Sequence, residues 1–197
     1  MFSHVMLDLE TLSSRNSAGI LSIGAVRMDL VNFALGPEFY VAILPSSSQN
    51  FGLHIDADTI VWWMRQNPLA QKVFSDPRAV PLDLALADFG NFLQGEIVSG
   101  LWGNGATFDN VILRNAYAAC DIKCPWSYRD DVCFRTMRKL FNMPLPLEAA
   151  TGVAHNALDD ARRQAASLLA VMQRLRSAEK TLEEAQNTIS RMIADGV

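Results

Sequence analysis

His4-Val5-Met6-Leu7-Asp8-Leu9-Glu10-Thr11 reads as a strand from His4 to Asp8 that continues to Glu10. Val5, Met6, Leu7 and Leu9 are apolar, the composition of a central strand covered on both faces. A period of two residues turns the side chains of Asp8 and Glu10 to the same side. Two carboxylates crowded at the end of a buried strand either repel one another or share a cation, because buried charge without a partner is costly. Magnesium and manganese suit such a pair, since both favour oxygen ligands. A solvated or salt-bridged strand end has the same spacing, so this segment alone leaves both readings open.

Outward from this strand, Gly19 to Met28 and Phe33 to Leu44 complete a meander, with turns at Asp29 to Asn32 and Pro45 to Ser48. Thr11 to Ala18 is a polar loop placed directly after the two acids. Helical spacing begins at Asp56 with Ile60, Trp63 and Met64, resumes at Pro68, and recurs over Leu82 to Leu93, ending near Gly95. Ile97 to Trp102 is a further strand, closed by Gly103-Asn104-Gly105. A helix over Thr107 to Ala119 is expected to expose Asn110 and Arg114 and bury Ile112. Another helix is expected over Asp130 to Phe141, where Arg129, Arg135, Arg138 and Lys139 form a basic cluster. Asn156 is read as an N-cap, with Asp159 closing a capping box. The helix behind it is expected to break near Ser177, before an amphipathic helix at about residues 178–193. Early strands followed by alternating strands and helices indicate an α/β domain around one mixed sheet. Residues 1–197 are read as a single domain without repeats or linkers.

Composition narrows the function classes. The chain has 197 residues, 50% of them hydrophobic and 19% charged, which describes a packed globular protein. No apolar run approaches the roughly 20 residues needed to span a bilayer, so no membrane partner is expected. The start lacks a basic stretch and is read as a core strand and not a signal peptide. Three cysteines, Cys120, Cys124 and Cys133, cannot all pair, which suits idle thiols in a reducing cytoplasm. With 17 basic and 21 acidic residues the formal net charge is −4, which argues against a passive nucleic-acid binder. It argues less against a metal enzyme, where bound cations reverse the sign of an acidic site.

Further acids stand at element junctions. Asp109 follows the connection Asn104 to Phe108, at the strand-to-helix edge where α/β sheets carry their sites. An ordinary first-turn acid favoured by the helix dipole is the alternative. His155 lies just outside the capped helix and Asp160 falls in its first turn, so both can face one site. His4 and His54 have no acids at useful spacing and are read as structural or exposed.

Taken together, these residues resemble the DEDDh branch of the 3′-to-5′ exonucleases. Asp8-Leu9-Glu10-Thr11 matches the first family motif, Asn104 to Asp109 the second, and His155 to Ala161 the third. The resemblance spans about residues 4 to 170. Trp62-Trp63-Met64-Arg65-Gln66 ahead of Asn67-Pro68 looks like the insert of a compact bacterial and phage subgroup, which includes a mycobacterial exoribonuclease-like domain and relatives of the exonuclease VIII nuclease part. It implies a ribonuclease-H-like fold, a five-stranded mixed sheet with an antiparallel second strand, flanked by helices. The fifth strand is expected near Ala149 to Val153, or is shorter than pattern reading can detect.

The resemblance also implies a chemistry: hydrolysis of the terminal phosphodiester of DNA or RNA at a single-stranded 3′ end, releasing nucleoside 5′-monophosphates. Two Mg2+ or Mn2+ ions would be held by Asp8, Glu10, Asp109 and Asp160, with Asp8 bridging. His155 would act as the base, its pKa expected to be raised by nearby carboxylates. Substrate contacts are expected at Thr11 and Leu12, through backbone amides and an apolar wedge. Arg15 is a candidate phosphate contact; Trp62, Trp63 and Gln66 are candidates for a pocket wall, and Asn104 and Phe108 belong to the second motif. Core packing is the alternative for both tryptophans. A homodimer is expected from the family and the terminal helix. Two rival readings stay open: an inactive nucleic-acid-binding or structural relative, and a phosphoesterase acting on small nucleotides.

Overall fold

The computed structural model describes residues 1–142 and 152–194. Five strands form one sheet in the order β3-β2-β1-β4-β5: β1 His4–Thr11, β2 Ile20–Asp29, β3 Ala34–Ala42, β4 Gly100–Gly103 and β5 Asp131–Cys133. β2 runs antiparallel to β1 and β3, while β4 and β5 run parallel to β1. This is the ribonuclease-H-like arrangement that the resemblance implies.

Seven α-helices accompany the strands in the described residues: α1 Pro45–Asn50, α2 Ala57–Trp63, α3 Pro68–Gln71, α4 Leu82–Leu93, α5 Asp109–Ala119, α6 Phe134–Leu140 and α7 Ala157–Ala194. Alternation along β1 divides the core. Val5, Leu7 and Leu9 face α4 and α5 in a cluster that includes Leu86, Phe89, Ile112 and Leu113. Met6, on the opposite face, packs with Val26, Phe134, Ala161 and Leu168 under α6 and α7. Asp8 and Glu10 share the Met6 side of the strand, where the N-terminal turns of α7 lie. Gly24 makes that approach close: a Cβ there would stand 2.1 Å from the Ala157 carbonyl carbon. Arg27 is buried and donates to the carbonyls of Phe92 and Leu93, closing the last turn of α4.

Several expectations are corrected. Pro45 to Ser48 is the start of α1 and not a turn, since proline at the first position suits a helix start. The fifth strand is Asp131–Cys133, inside the segment expected to be wholly helical; α6 begins only at Phe134. Of the stretch where that strand was expected, Ala149 to Thr151 lies outside the described residues. Asn110 is buried, because its amide donates to the Leu101 carbonyl and to Asp131 Oδ1, both at 2.9 Å. No break occurs near Ser177: α7 runs unbroken through the segment 178–193, since neither glycine nor proline interrupts it. Among the described residues, no helix is long and apolar enough to cross a membrane.

Candidate active site

Three elements bring the acids together. The end of β1 supplies Asp8 and Glu10, the start of α5 supplies Asp109, and the first turn of α7 supplies Asp160. All four line one cavity of about 420 Å³, together with Leu9, Asn104, Phe108, Arg135, His155 and Gln164. The Leu9 amide donates to Asp109 Oδ1 at 3.3 Å, which ties α5 to the strand that carries the other acids. Gly103 permits this, for a Cβ there would lie 2.3 Å from Asn110 Oδ1 and 3.2 Å from Asp109. Asp160 Oδ2 accepts the His155 amide at 3.0 Å, so the same carboxylate also anchors the histidine loop. Asn156 caps α7 as expected, accepting from the Asp159 amide at 3.1 Å. The Asp159 carboxylate, however, takes the Val153 amide instead of closing a capping box.

Crowding raises the proton affinity of these acids. Burial, then Asp109 and Glu10, hold the Asp8 carboxyl well above its ordinary range. Burial and the neighbouring Asp109 push Glu10 up to about 8. Asp109 is pushed up to about 7, chiefly by burial, against the opposing amide hydrogen bonds. Such a set binds either protons or cations at neutral pH. Ligand atoms of Glu10, His155 and Asp160 lie within 4.8 Å of one another. Asn104 Oδ1 and Gln164 Oε1 are buried without a hydrogen-bond partner among the described residues, and both residues line this cavity. Oxygen donors, shared negative charge and unpaired polar atoms fit a hydrated divalent cation.

His155 adopts φ 61°, a left-handed conformation that sets its ring apart from the helix path. The ring meets the Trp62 indole at 4.9 Å between centroids and 80° between planes, with Trp63 at 6.2 Å. Its pKa is lowered, first by burial and then by the Arg163 charge, contrary to the rise expected from nearby carboxylates. The physical reason is that the ring packs on indoles, while Arg163 pairs with Asp160 beside it.

The substrate-contact candidates divide. Asn104 and Phe108 line the acidic cavity, and Trp62 is 42% exposed beside His155. Trp63 is 2% exposed and belongs to a core cluster with Leu12 and Leu21, its Nε1 donating to the Thr11 carbonyl at 2.9 Å. Leu12 is buried and its amide donates to the Gly19 carbonyl, so neither the apolar wedge nor the free amide expected there is presented. Thr11 Oγ1 donates to the Ser13 carbonyl. Gln66 donates to the Trp62 carbonyl, which braces the end of α2. Arg15 is exposed on its loop and is not among the residues that line the acidic cavity.

Sequence reasoning missed Gln164, Arg163 and Arg135 as site residues. Gln164 is 6% exposed and donates to Asp8 Oδ1 at 2.7 Å. Its signal was present: four residues beyond Asp160, it shares that residue's helix face. Arg135, read only as part of a basic cluster, donates to the Asn104 carbonyl at the cavity wall.

This sheet order, with four acids and a histidine grouped at the ends of β1, β4 and the turn into α7, defines a ribonuclease-H-like domain of the DEDDh exonuclease superfamily. The family model of the 3′-5′ exoribonuclease Rv2179c-like domain matches residues 3–172, and the chain belongs to that family. No curated protein matches the sequence. Among solved structures, E. coli exonuclease I in complex with a dT13 oligonucleotide is similar over 91% of this chain and 43% of its own, with TM-score 0.65 and 16% identity. The nuclease domain of 3′hExo, a DEDDh family member bound to rAMP, is similar over 86% of this chain and 90% of its own, with TM-score 0.59 and 15% identity. Exonuclease I from Methylocaldum szegediense is similar over 86% and 40%, with TM-score 0.60 and 14% identity. The chain thus spans less than half the length of the exonuclease I chains it resembles.

Proposed function

We propose that this chain is a divalent-metal-dependent 3′-5′ exonuclease that hydrolyses the terminal phosphodiester of a single-stranded DNA or RNA end and releases nucleoside 5′-monophosphates. The observation that carries the reading is the convergence of Asp8, Glu10, Asp109, Asp160 and His155 on one cavity. When bound by the four carboxylates, Mg2+ or Mn2+ ions would polarise the scissile phosphate and make water more acidic.

The chain's own groups have separable tasks. His155, kept unprotonated by its lowered pKa, accepts the proton of the attacking water. Asp160 holds the histidine loop through the His155 amide. Arg135 stands at the cavity wall, where its charge favours an incoming phosphate. Trp62 offers an exposed ring beside His155 on which a terminal base can stack regardless of its identity. Both nucleic-acid types are retained as substrates because the family is described as an exoribonuclease domain, whereas structural relatives hold ssDNA and rAMP.

The test is product analysis with labelled single- and double-stranded DNA and RNA in Mg2+, Mn2+ or chelator. Mononucleotides released from free 3′ ends, but not from 3′-blocked ones, support the proposal. No release from any substrate removes it, and equal cleavage of blocked ends or of small nucleotides alone moves the chain to another phosphoesterase class.

A further inference from the structure

Beside the acidic cavity lies a second one, of about 560 Å³, and His155 lines both. Its floor is the same face of the sheet. Ser22 stands opposite Glu10 across β1 and β2, and Tyr40 stands opposite Gly24 across β2 and β3. One wall is His155 and Asn156, where the chain turns into α7. The other comes from α3, the 3-10 helix Lys72–Ser75 and the loop through Asp76, Pro77 and Arg78. The size falls within the roughly 300–1,000 Å³ of small-molecule sites.

Its chemistry is the reverse of its neighbour's. Lys72 and Arg78 against the single Asp76 leave the lining one net positive charge, in a chain whose net charge is −4. Asp76 is taken up by Arg78, whose Nε and Nη2 donate to it at 3.1 and 2.9 Å. Lys72 is exposed and has no carboxylate partner among the described residues. Ser22 is fully buried, and its Oγ makes no hydrogen bond among the described residues, with the Tyr40 hydroxyl beside it. A buried hydroxyl without a partner calls for one. Leu69, Val73 and Pro77 supply apolar surface between the cation at the rim and the hydroxyls on the floor.

We propose that this cavity is a second nucleotide site, separate from the catalytic one, that takes a free nucleoside 5′-monophosphate. The phosphate meets Lys72, the base and sugar lie against Leu69, Val73 and Pro77, and Ser22 and Tyr40 bond polar edges of the sugar or base. A bare phosphate would leave the apolar surface and the buried hydroxyl unused, and an uncharged nucleoside would leave Lys72 unused. The choice of a nucleotide over other phosphate monoesters rests on the proposed function, whose product it is. Binding here needs no metal. In the acidic cavity four carboxylates repel a phosphate until cations are bound, so a chelator separates the two sites.

Calorimetric titration of the full chain with adenosine 5′-monophosphate in excess chelator tests the site. One equivalent should bind, and Lys72→Glu, an exposed position that leaves the fold intact, should weaken it about tenfold or more. Asp109→Asn, which alters only the acidic cavity, should bind as wild type does. Ribose 5-phosphate and a pentanucleotide with a 5′-hydroxyl should each bind at least about tenfold more weakly, the first for want of a base and the second for want of a terminal phosphate. No binding in chelator, equal binding by Lys72→Glu, or loss of binding in Asp109→Asn would overturn the proposal. Ribose 5-phosphate binding as tightly would reduce the site to a sugar-phosphate one, and the pentanucleotide binding as tightly would make it a track for the strand; either would also overturn it. The readout involves neither metal nor turnover, so its failure is distinct from a failure to release mononucleotides.

Discussion

Gln164 Nε2 donates to Asp8 Oδ1 at 2.7 Å, joining residues 156 positions apart in the chain. One oxygen of Asp8 is thereby fixed, α7 is tied to the end of β1, and under the proposed function the other oxygen would take a cation. Partners of this kind orient ligating carboxylates and typically change metal affinity about 10–100-fold when removed. Gln164→Leu, of similar size, should therefore weaken Mn2+ binding by roughly that factor while leaving the metal-free melting temperature within a few degrees. Electron paramagnetic resonance of free Mn2+ reads this directly. Affinity within twofold of wild type would deny Gln164 the role.

Metal-free protein should become less stable as pH rises. In the folded state Glu10 and Asp109 keep their protons up to about 8 and about 7, whereas an unfolded chain releases them near about pH 4. Between these limits the native state binds more protons than the unfolded one, so stability falls as pH rises. Asp29 acts in the opposite sense: its pKa is lowered, first by the terminal ammonium and then by Asn32, so its contribution is complete above about pH 4 and fades only below. Thermal melts in chelator should decline from pH 5 to 8, and added Mn2+ should abolish the decline because it replaces the protons. Asp109→Asn should flatten the chelator curve. A flat wild-type curve would show that the acids are not crowded in solution.

The adjacent tryptophans should behave as opposites. Trp63, 2% exposed, fills the core between Leu12 and Val73, so Trp63→Ala should cost roughly 3–5 kcal/mol in denaturant unfolding. Trp62, 42% exposed, should cost little stability when cut to alanine. Instead, Trp62→Ala should raise KM and remove the fluorescence quenching produced by a short oligonucleotide. Quenching that persists in Trp62→Ala would take the base-stacking surface elsewhere.

Gly24→Ala tests how the site is held. The added Cβ would meet backbone atoms of Ala157 and Leu158 at 2.1–2.4 Å, so the start of α7 must retreat. Overpacking of this kind costs about 1–3 kcal/mol, and here it also moves His155 and Asp160 away from Glu10. Chemical denaturation and turnover should both fall. Wild-type values for both would mean that α7 does not depend on this contact.

Much of this was legible in the residues, for definite reasons. The apolar run around Asp8 and Glu10 marked a central strand, and Asn156 marked the start of α7, because both signals are local. β5 was hidden: three residues, Asp131 to Cys133, carry too little alternation to stand out from the helix that follows. Asn110 looked like an exposed helix residue, since nothing near it in sequence reveals the Leu101 carbonyl and Asp131 that bury its amide. His155 was given the wrong direction of pKa shift because sequence showed its acidic neighbours but not the indoles packed on it. Gln164 was readable by helix spacing from Asp160, but its partner Asp8 was not.

The central claim, that four crowded carboxylates exist to hold cations while His155 serves the chemistry, is tested most directly by pairing calorimetric Mn2+ titration with single-turnover hydrolysis in three proteins. The account predicts that wild type binds and cleaves, Asp109→Ala loses both, and His155→Ala keeps binding while its rate falls about 10²–10⁴-fold. A wild type that binds no Mn2+, or an Asp109→Ala that binds as tightly as wild type, would contradict it.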